Sequence, residues 1–349
     1  MGMENENKPV IDVTGQKIRQ IGLVVRDAAK TAKRYSEIFG MGPWLFFDTT
    51  PTEMILHDRP QKEEEAGMRL AVANLGKMQV ELIQPLSGPS TYAEFINERG
   101  EGIHHLSFGS LENHDEFVAS LKEIGVGIEM QGSLEGALTF SYMAAQKELG
   151  AIFEALGPAP PGTRNTLKPW GSYAHQGPAL VNIEGKELVQ VGIVVKDAEE
   201  KAKRYWEIFG IGPWMFIDFK PPHVTEGVLH GISMTDNNFH IKAALADLGG
   251  FQFELLEPVK GPSTHMEFLK KYGEGIHHVS FGRIKDHDEV IAAMVGQGIE
   301  IESTGLLGGA ATFTYMSTQQ ELGTIFEFVK VDPEAKSTIT PYGFYPPPK

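Results

Sequence analysis

Apolar positions along the chain fall into short runs separated by turn residues. The run "IGLVV" at 21–25 reads as a buried strand, and Asp27 just beyond it is placed to cap a helix. In that helix Ala28, Ala32, Tyr35 and Phe39 recur every three or four residues and make one apolar stripe, which Gly40 ends. "MRLAVANLG" and "MQVELIQP" then read as strands. The pattern restarts at "HLSFG", with a helix whose inward face is Phe117, Val118, Leu121 and Ile124, and closes with the strands "LTFSYMAA" and "AIFEAL". The order strand, helix, several strands recurs four times along the chain. It predicts an α+β fold, β-rich with one crossover helix per module, rather than a doubly wound parallel sheet.

The four modules form two copies of a larger unit. "QIGLVVRDAAKTAKRYSEIFGMGPW" (20–44) returns as "QVGIVVKDAEEKAKRYWEIFGIGPW" (190–214), 170 residues later. "VELIQP", "EGIHHLSFG" and "LGAIFEAL" return as "FELLEP", "EGIHHVSFG" and "LGTIFEFV", each 173 residues on, so three residues are inserted between the first match and the rest. The expected organisation is a first domain at 12–157, a Pro/Gly-rich linker at 158–185, a second domain at 186–331 and a Pro-rich tail at 332–349. The tail is too Pro-rich for regular structure and is expected to lie across a surface.

Composition narrows the function classes. The 349 residues are 41% hydrophobic and 22% charged, a soluble globular profile without an apolar run of membrane-spanning length. The net charge of −15 argues against nucleic acid and anionic membranes as partners. Without cysteine, disulfides and thiolate metal sites are excluded; the first nine residues lack the basic and apolar regions of a signal peptide, and the expected compartment is the cytoplasm.

Polar side chains inside apolar strands mark where chemistry could sit, because burying them unpaired costs several kcal/mol. Gln20 opens the first strand, Glu81 lies in "MQVELIQP", His105 precedes "LSF" and Glu154 lies in "AIFEAL". Gln190, Glu254, His278 and Glu327 repeat all four types in the second unit. Two carboxylates, an imidazole and an amide oxygen suit a divalent metal, and without sulfur donors Zn, Mn, Co, Ni and Fe all remain admissible. Strand alternation places the neighbouring His104 and His277 on the opposite face, with a structural role.

Strand-initial Gln20 before "IGLVVRD", Glu81 in "VELIQP", His105 in "GEGIHHLSF" and Glu154 in "GAIFEAL" together resemble the vicinal oxygen chelate superfamily, which includes glyoxalase I, methylmalonyl-CoA epimerase and extradiol dioxygenases. The resemblance covers about 17–157 and 187–330. It implies paired βαβββ modules forming an open barrel around one metal in each unit. It also implies Gln20, Glu81, His105 and Glu154 as one ligand set, and Gln190, Glu254, His278 and Glu327 as the other. Whether modules pair within a unit or exchange between units stays open, as does a monomer with two sites against a homodimer. The Gln/Glu/His/Glu set resembles the glyoxalase I and epimerase branches rather than the dioxygenases, whose site uses two histidines.

The chemistry so implied is proton abstraction next to a carbonyl, with Glu154 and Glu327 as general bases and a small carbonyl compound as substrate. The reaction would be an isomerase, epimerase or glyoxalase-type lyase step. A methylmalonyl-CoA-type epimerase is the alternative, but a second base is hard to find: Glu63 to Glu65 have only Asp236 in the matching stretch. A non-catalytic, resistance-type binding protein is the other alternative. For the pocket, the repeated Trp44 and Trp214, Tyr142 and Tyr315 suggest an aromatic or hydrophobic substrate, with Arg69 and Lys242 to meet a negative charge.

Overall fold

A computed structural model describes residues 8–61, 66–234 and 238–348. Glu63 to Glu65 and Asp236 lie outside the described residues. The first unit begins with β1 (Gln20–Val24), α1 (Ala28–Phe39), β2 (Trp44–Thr49), β3 (Thr52–Leu56), β4 (Arg59–Pro60), β5 (Met68–Leu75) and β6 (Met78–Pro85). It continues with α2 (Thr91–Glu98), β7 (Gly102–Ser110), α3 (His114–Glu123), β8 (Ile128–Leu134), β9 (Leu138–Met143), α4 (Gln146–Leu149) and β10 (Ile152–Gly157). β11 (Gly171–Tyr173) follows in the linker.

The second unit repeats the series: β12 (Gln190–Val194), α5 (Ala198–Phe209), β13 (Trp214–Phe219), β14 (Val224–Leu229), β15 (Ile232–Ser233), β16 (His240–Leu248) and β17 (Phe251–Lys260). Then come α6 (Thr264–Tyr272), β18 (Gly275–Arg283), α7 (His287–Gly296), β19 (Ile301–Leu307), β20 (Ala311–Met316), α8 (Gln319–Leu322), β21 (Ile325–Val331) and β22 (Gly343–Tyr345).

Each unit curls one eleven-stranded sheet, in the order β11-β2-β5-β6-β1-β7-β10-β9-β8-β3-β4 for the first. At its centre β1 pairs parallel with β6 and antiparallel with β7, so the two βαβββ modules of one unit join edge to edge. The question of module exchange is thereby settled: both modules of a half-barrel come from the same unit.

Local signals explain the elements. Asp27 accepts a hydrogen bond from the Lys30 backbone N–H at the start of α1, and Gly40 ends it in the left-handed conformation, φ 67°. Strand alternation then divides each sheet into two faces. On one, Ile21, Leu23, Ala71, Val80, Leu82, Leu106 and Phe153 join a large core. On the other, Met68, Leu70, Ile83, Tyr142 and Ile152 form a separate cluster inside the half-barrel.

The large core is shared by the units. Phe39 on α1 packs against Phe281 and Phe326 at ring-centroid distances of 5.5 and 4.8 Å. Reciprocally, Phe209 on α5 packs against Phe108 and Phe153 at 5.6 and 5.1 Å. Arg34–Glu321 and Arg204–Glu148 ion pairs rim the seam at 2.6 and 2.9 Å. The arms before each unit are crossed. Val10 and Ile11 bond the end of α5 through Glu207 and Ile208, while Leu180 and Val181 bond the end of α1 through Glu37 and Ile38.

Two expectations need correction. The tail is not devoid of regular structure, since β22 pairs with β13, and β11 in the linker pairs with β2 in the same way. Trp170 stacks on Phe46 and Tyr342 on Phe216, so an aromatic anchor holds each proline-bearing segment at the sheet edge. Ile124 is exposed rather than inward, because α3 ends at Glu123 and Val126 fills the core beyond it.

Candidate functional site

The four sequence-selected polar residues of each unit meet on the inner face of the half-barrel. In the first unit Gly22 lies opposite Glu81 on one side and His105 on the other, while Ser107 lies between Gln20 and Glu154. Small residues thus floor the site, and the longer side chains converge above them. Gln20, Glu81, His105 and Glu154 are 7, 8, 0 and 3% exposed. His105 Nε2 stands 3.8 Å from Glu81 Oε2 and 3.7 Å from Glu154 Oε2. In the second unit His278 Nε2 stands 3.5 Å from Glu254 Oε2 and 3.9 Å from Glu327 Oε2.

Hydrogen bonding aims these groups. The Gln20 amide donates from Nε2 to Gln79 Oε1 at 2.7 Å, and Gln79 is its register partner on β6. That leaves Gln20 Oε1 turned inward as an acceptor. Gln190 and Gln252 repeat the bond at 2.7 Å. The histidine ring lies flat over the adjacent glycine: a Cβ on Gly22 would fall 2.0 Å from His105 Cε1, and one on Gly192 1.9 Å from His278 Cε1. Each "QIG" or "QVG" glycine is therefore required by the ring above it.

The first histidine of each pair does not face away. Gly22 pairs with His105 but Leu23 with Ile103, which leaves His104 as an extra residue in a bulge. Alternation breaks there, and His104 Nδ1 comes within 3.1 Å of His105 Nδ1. Its Nε2 lies 3.1 Å from Thr91 Oγ1, which donates to Glu129 Oε1. His277, Thr264 and Glu302 repeat this chain behind His278. Sequence reading had missed Thr91, Thr264, Glu129 and Glu302; the repeated "GPST" motif that opens α2 and α6 was the signal for the two threonines.

Burial governs the electrostatics. It raises Glu81 to about 8, helped by the charge of Glu154, and raises Glu154 and Glu327 to about 7. Burial likewise holds His105 well below the ordinary imidazole range and His104 at about 3. The rings are therefore neutral and able to donate a lone pair. Among the described residues Gln20 Oε1, His105 Nε2 and Glu154 Oε2 are buried without a hydrogen-bond partner, as are His278 Nε2 and Glu327 Oε2. Unpartnered buried acceptors pointing at one another are what a cation would satisfy. The donor sets are consistent with a divalent metal.

The other pocket candidates divide. Tyr142 and Tyr315 reach the site, with ring centroids 4.6 and 4.8 Å from His105 and His278. Trp44 and Trp214 do not: both are fully buried in the shared core, where Tyr35 and Tyr205 pack on them. Arg69 and Lys242 point from the helix-covered face. Arg69 forms a bidentate pair with Asp48 at 2.7 Å and covers the Trp170 ring, and Lys242 lies 3.8 Å from Glu199 on α5. A residue one place along a strand faces the other way, and both lie one place out of phase with the site. Tyr92 and His265, on α2 and α6, close over the sites and had not been selected.

Comparison with known proteins bears on the family and the fold. A sequence model of the glyoxalase/bleomycin resistance protein/dioxygenase superfamily matches residues 19–142 and 189–315. No curated protein is matched by sequence. A mutant of 4-hydroxymandelate synthase from Streptomyces coelicolor superposes with a TM-score of 0.60 at 13% identity, over 92% of this chain and 94% of that one. A Mn(II)-bound glyoxalase from Novosphingobium aromaticivorans superposes with a TM-score of 0.45 at 12% identity, over 90% and 82%.

Proposed function

The chain belongs to the glyoxalase/bleomycin resistance protein/dioxygenase superfamily, that is, the vicinal oxygen chelate superfamily, and we propose that it is a divalent-metal-dependent isomerase, epimerase or glyoxalase-type lyase acting on a carbonyl compound. The observation that supports this reading is the set of buried, unpartnered atoms around His105 Nε2 and His278 Nε2, each flanked by two carboxylates. Gln20, Glu81, His105 and Glu154 would hold one metal, and Gln190, Glu254, His278 and Glu327 the other. The bound metal would supply Lewis-acid stabilisation of negative charge on the substrate oxygen.

The chain's own part is proton transfer and exclusion of water. Glu154 or Glu327 takes the proton from the carbon next to the carbonyl, and the C–H electron pair moves into the carbonyl to leave an oxygen anion. The same carboxyl, its acidic hydrogen exchanging with solvent, then delivers a proton to that carbon or its neighbour. Each carboxylate stands on a strand directly opposite a tyrosine, Tyr142 for Glu154 and Tyr315 for Glu327, so the base is held against an aromatic wall. The Gln79 and Gln252 contacts keep the amide oxygens turned inward during turnover. Burial keeps bulk water from protonating the anion out of turn.

Incubation of metal-loaded protein in deuterated water with a panel of α-substituted carbonyl compounds should reveal exchange at the α-carbon. The E154Q/E327Q double variant should lose about 10²–10⁴-fold of that rate, the usual worth of a positioned general base. Exchange that continues undiminished in the double variant would exclude these carboxylates as the base.

A further inference from the structure

The two sites carry the same four polar residues, but the walls around them differ. In the first half-barrel Met54, Leu70, Tyr92 and Met130 are all buried in one cluster that fills the space beside the quartet. At the matching positions the second unit has Gly227, Ala243, His265 and Ser303. Register confirms two of the matches: Leu56 pairs with Met130 where Leu229 pairs with Ser303, and Leu70 pairs with Ile83 where Ala243 pairs with Leu256. The exchanges remove four, three, two and two non-hydrogen side-chain atoms respectively.

The surroundings respond accordingly. Phe140 is buried whereas its counterpart Phe313 is partly exposed, and Gln20 is buried whereas Gln190 is partly exposed. The apolar cluster inside the second half-barrel shrinks to Ile241, Ala243 and Leu256, with Phe219 at its edge. Among the described residues Met234 reaches back, its Cε 2.7 Å from where a Cβ on Gly227 would lie; it is a flexible, half-exposed side chain that can swing out.

His265 adds a chemical difference. In the first unit the Tyr92 hydroxyl donates to the Tyr142 hydroxyl at 2.7 Å and ties α2 down across the site. In the second unit His265 stands there, 5% exposed, with neither ring nitrogen hydrogen-bonded among the described residues. Its ring lies 4.7 Å from that of His277 and 5.5 Å from that of Tyr315. A buried imidazole without partners is costly unless a bound molecule supplies them.

We infer that the second unit alone admits substrate, with His265 as a substrate-contacting residue, and that the first unit holds its metal in a site sealed by Met54, Leu70, Tyr92 and Met130. This rests on the metal-site reading above. The substrate class is a compact, largely apolar carbonyl compound of about the size that the missing side-chain atoms vacate. It would bind with its oxygens at the quartet and a polar substituent at His265.

The test uses cobalt-loaded full-length protein and acetohydroxamate, a bidentate oxygen ligand, followed by the visible absorption of cobalt. Two cobalt ions should bind per chain, and saturating hydroxamate should shift about half of the signal. H105A should remove the unresponsive half and leave the shift; H278A should abolish it. H265Y alone should weaken hydroxamate binding several-fold, and H265Y/G227M/A243L/S303M by at least ten-fold, each still holding two cobalt ions. Opening the first unit with M54G/L70A/Y92H/M130S should make the second half of the signal responsive. A shift at both sites, at neither, or at the first alone would overturn the inference, and failure to bind cobalt would overturn the metal reading with it. Hydroxamate binding needs no turnover. A shift confined to the second unit without α-carbon exchange on any carbonyl would therefore sink the proposed reaction and leave the assignment standing.

Discussion

Replacing Gly22 with alanine should remove one metal ion from the chain. The added Cβ would fall 2.0 Å from His105 Cε1, against an ordinary contact of 3.4–4 Å, so the ring must retreat by at least about 1.4 Å. It has nowhere to go freely: His105 is 0% exposed, with Tyr142 4.6 Å away between ring centroids and His104 Nδ1 3.1 Å from its own Nδ1. Metal–ligand distances tolerate only about ±0.2 Å, so a ring displaced that far no longer ligates. Overpacking of this kind also costs about 1–3 kcal/mol, which in a chain of this size lowers Tm by a few degrees whether or not metal is present. Elemental analysis of G22A after metal loading and desalting should find one ion per chain where the parent holds two. G192A, whose Cβ would lie 1.9 Å from His278 Cε1, should lose the other ion. Two tightly held ions and an unchanged Tm in G22A would refute the reasoning, because the ring could then not lie where the structure places it.

Gln79→Leu removes the acceptor that orients the Gln20 amide, and should weaken metal binding in the first unit about 10–100-fold in a chelator competition. Gln79→Glu keeps an acceptor and should keep most of the affinity; equal loss in both would argue against an orienting role. Stability without metal should fall as pH rises. The folded chain holds protons on Glu81 to about pH 8 and on Glu154 and Glu327 to about pH 7, whereas an ordinary glutamate releases its proton near 4.5. The contribution is thus full below about pH 4.5 and is lost as pH climbs through the folded values. Buried His104 and His105 act in the opposite sense below about pH 6.5, so the clean window is about pH 6.5 to 8, where each retained proton is worth about 1.4 kcal/mol per pH unit. Chelator-treated protein should melt lower at pH 8 than at 6.5, and added metal should stabilise it more at pH 8; a metal-free Tm that rises across this window would contradict the assigned shifts.

The quartet was legible in the sequence because each member interrupts an apolar strand, and period-two alternation carries Gln20 and Val24, or Glu81 and Ile83, to one face. Alternation also misled where it fails. The bulge at His104 cannot be seen in a run of nine residues that reads as an ordinary strand, because it depends on how β1 and β7 register. Arg69 was misplaced by one step along β5, a shift that sends a side chain through the sheet. Trp44 and Trp214 repeat for a packing reason, as aromatic fill beneath Tyr35 and Tyr205, which a within-chain repeat cannot separate from a binding reason. The edge strands of linker and tail were hidden by their prolines, since three residues anchored by Trp170 or Tyr342 suffice to form each.

The shared seam bears on how the halves of the chain can diverge. Tyr35, Phe39, Phe108 and Phe153 touch the other half, and their counterparts Tyr205, Phe209, Phe281 and Phe326 are the same residue types, facing the same partners in return. A change at any one of them is felt by both halves at once, so drift there is checked twice. Met54, Leu70, Tyr92 and Met130 cluster with apolar residues of their own half, and each has a different residue type opposite it in the duplicate. Duplication joined back to back therefore leaves the outward-facing bowls as the places where one copy can take up new work while the other keeps the pair standing.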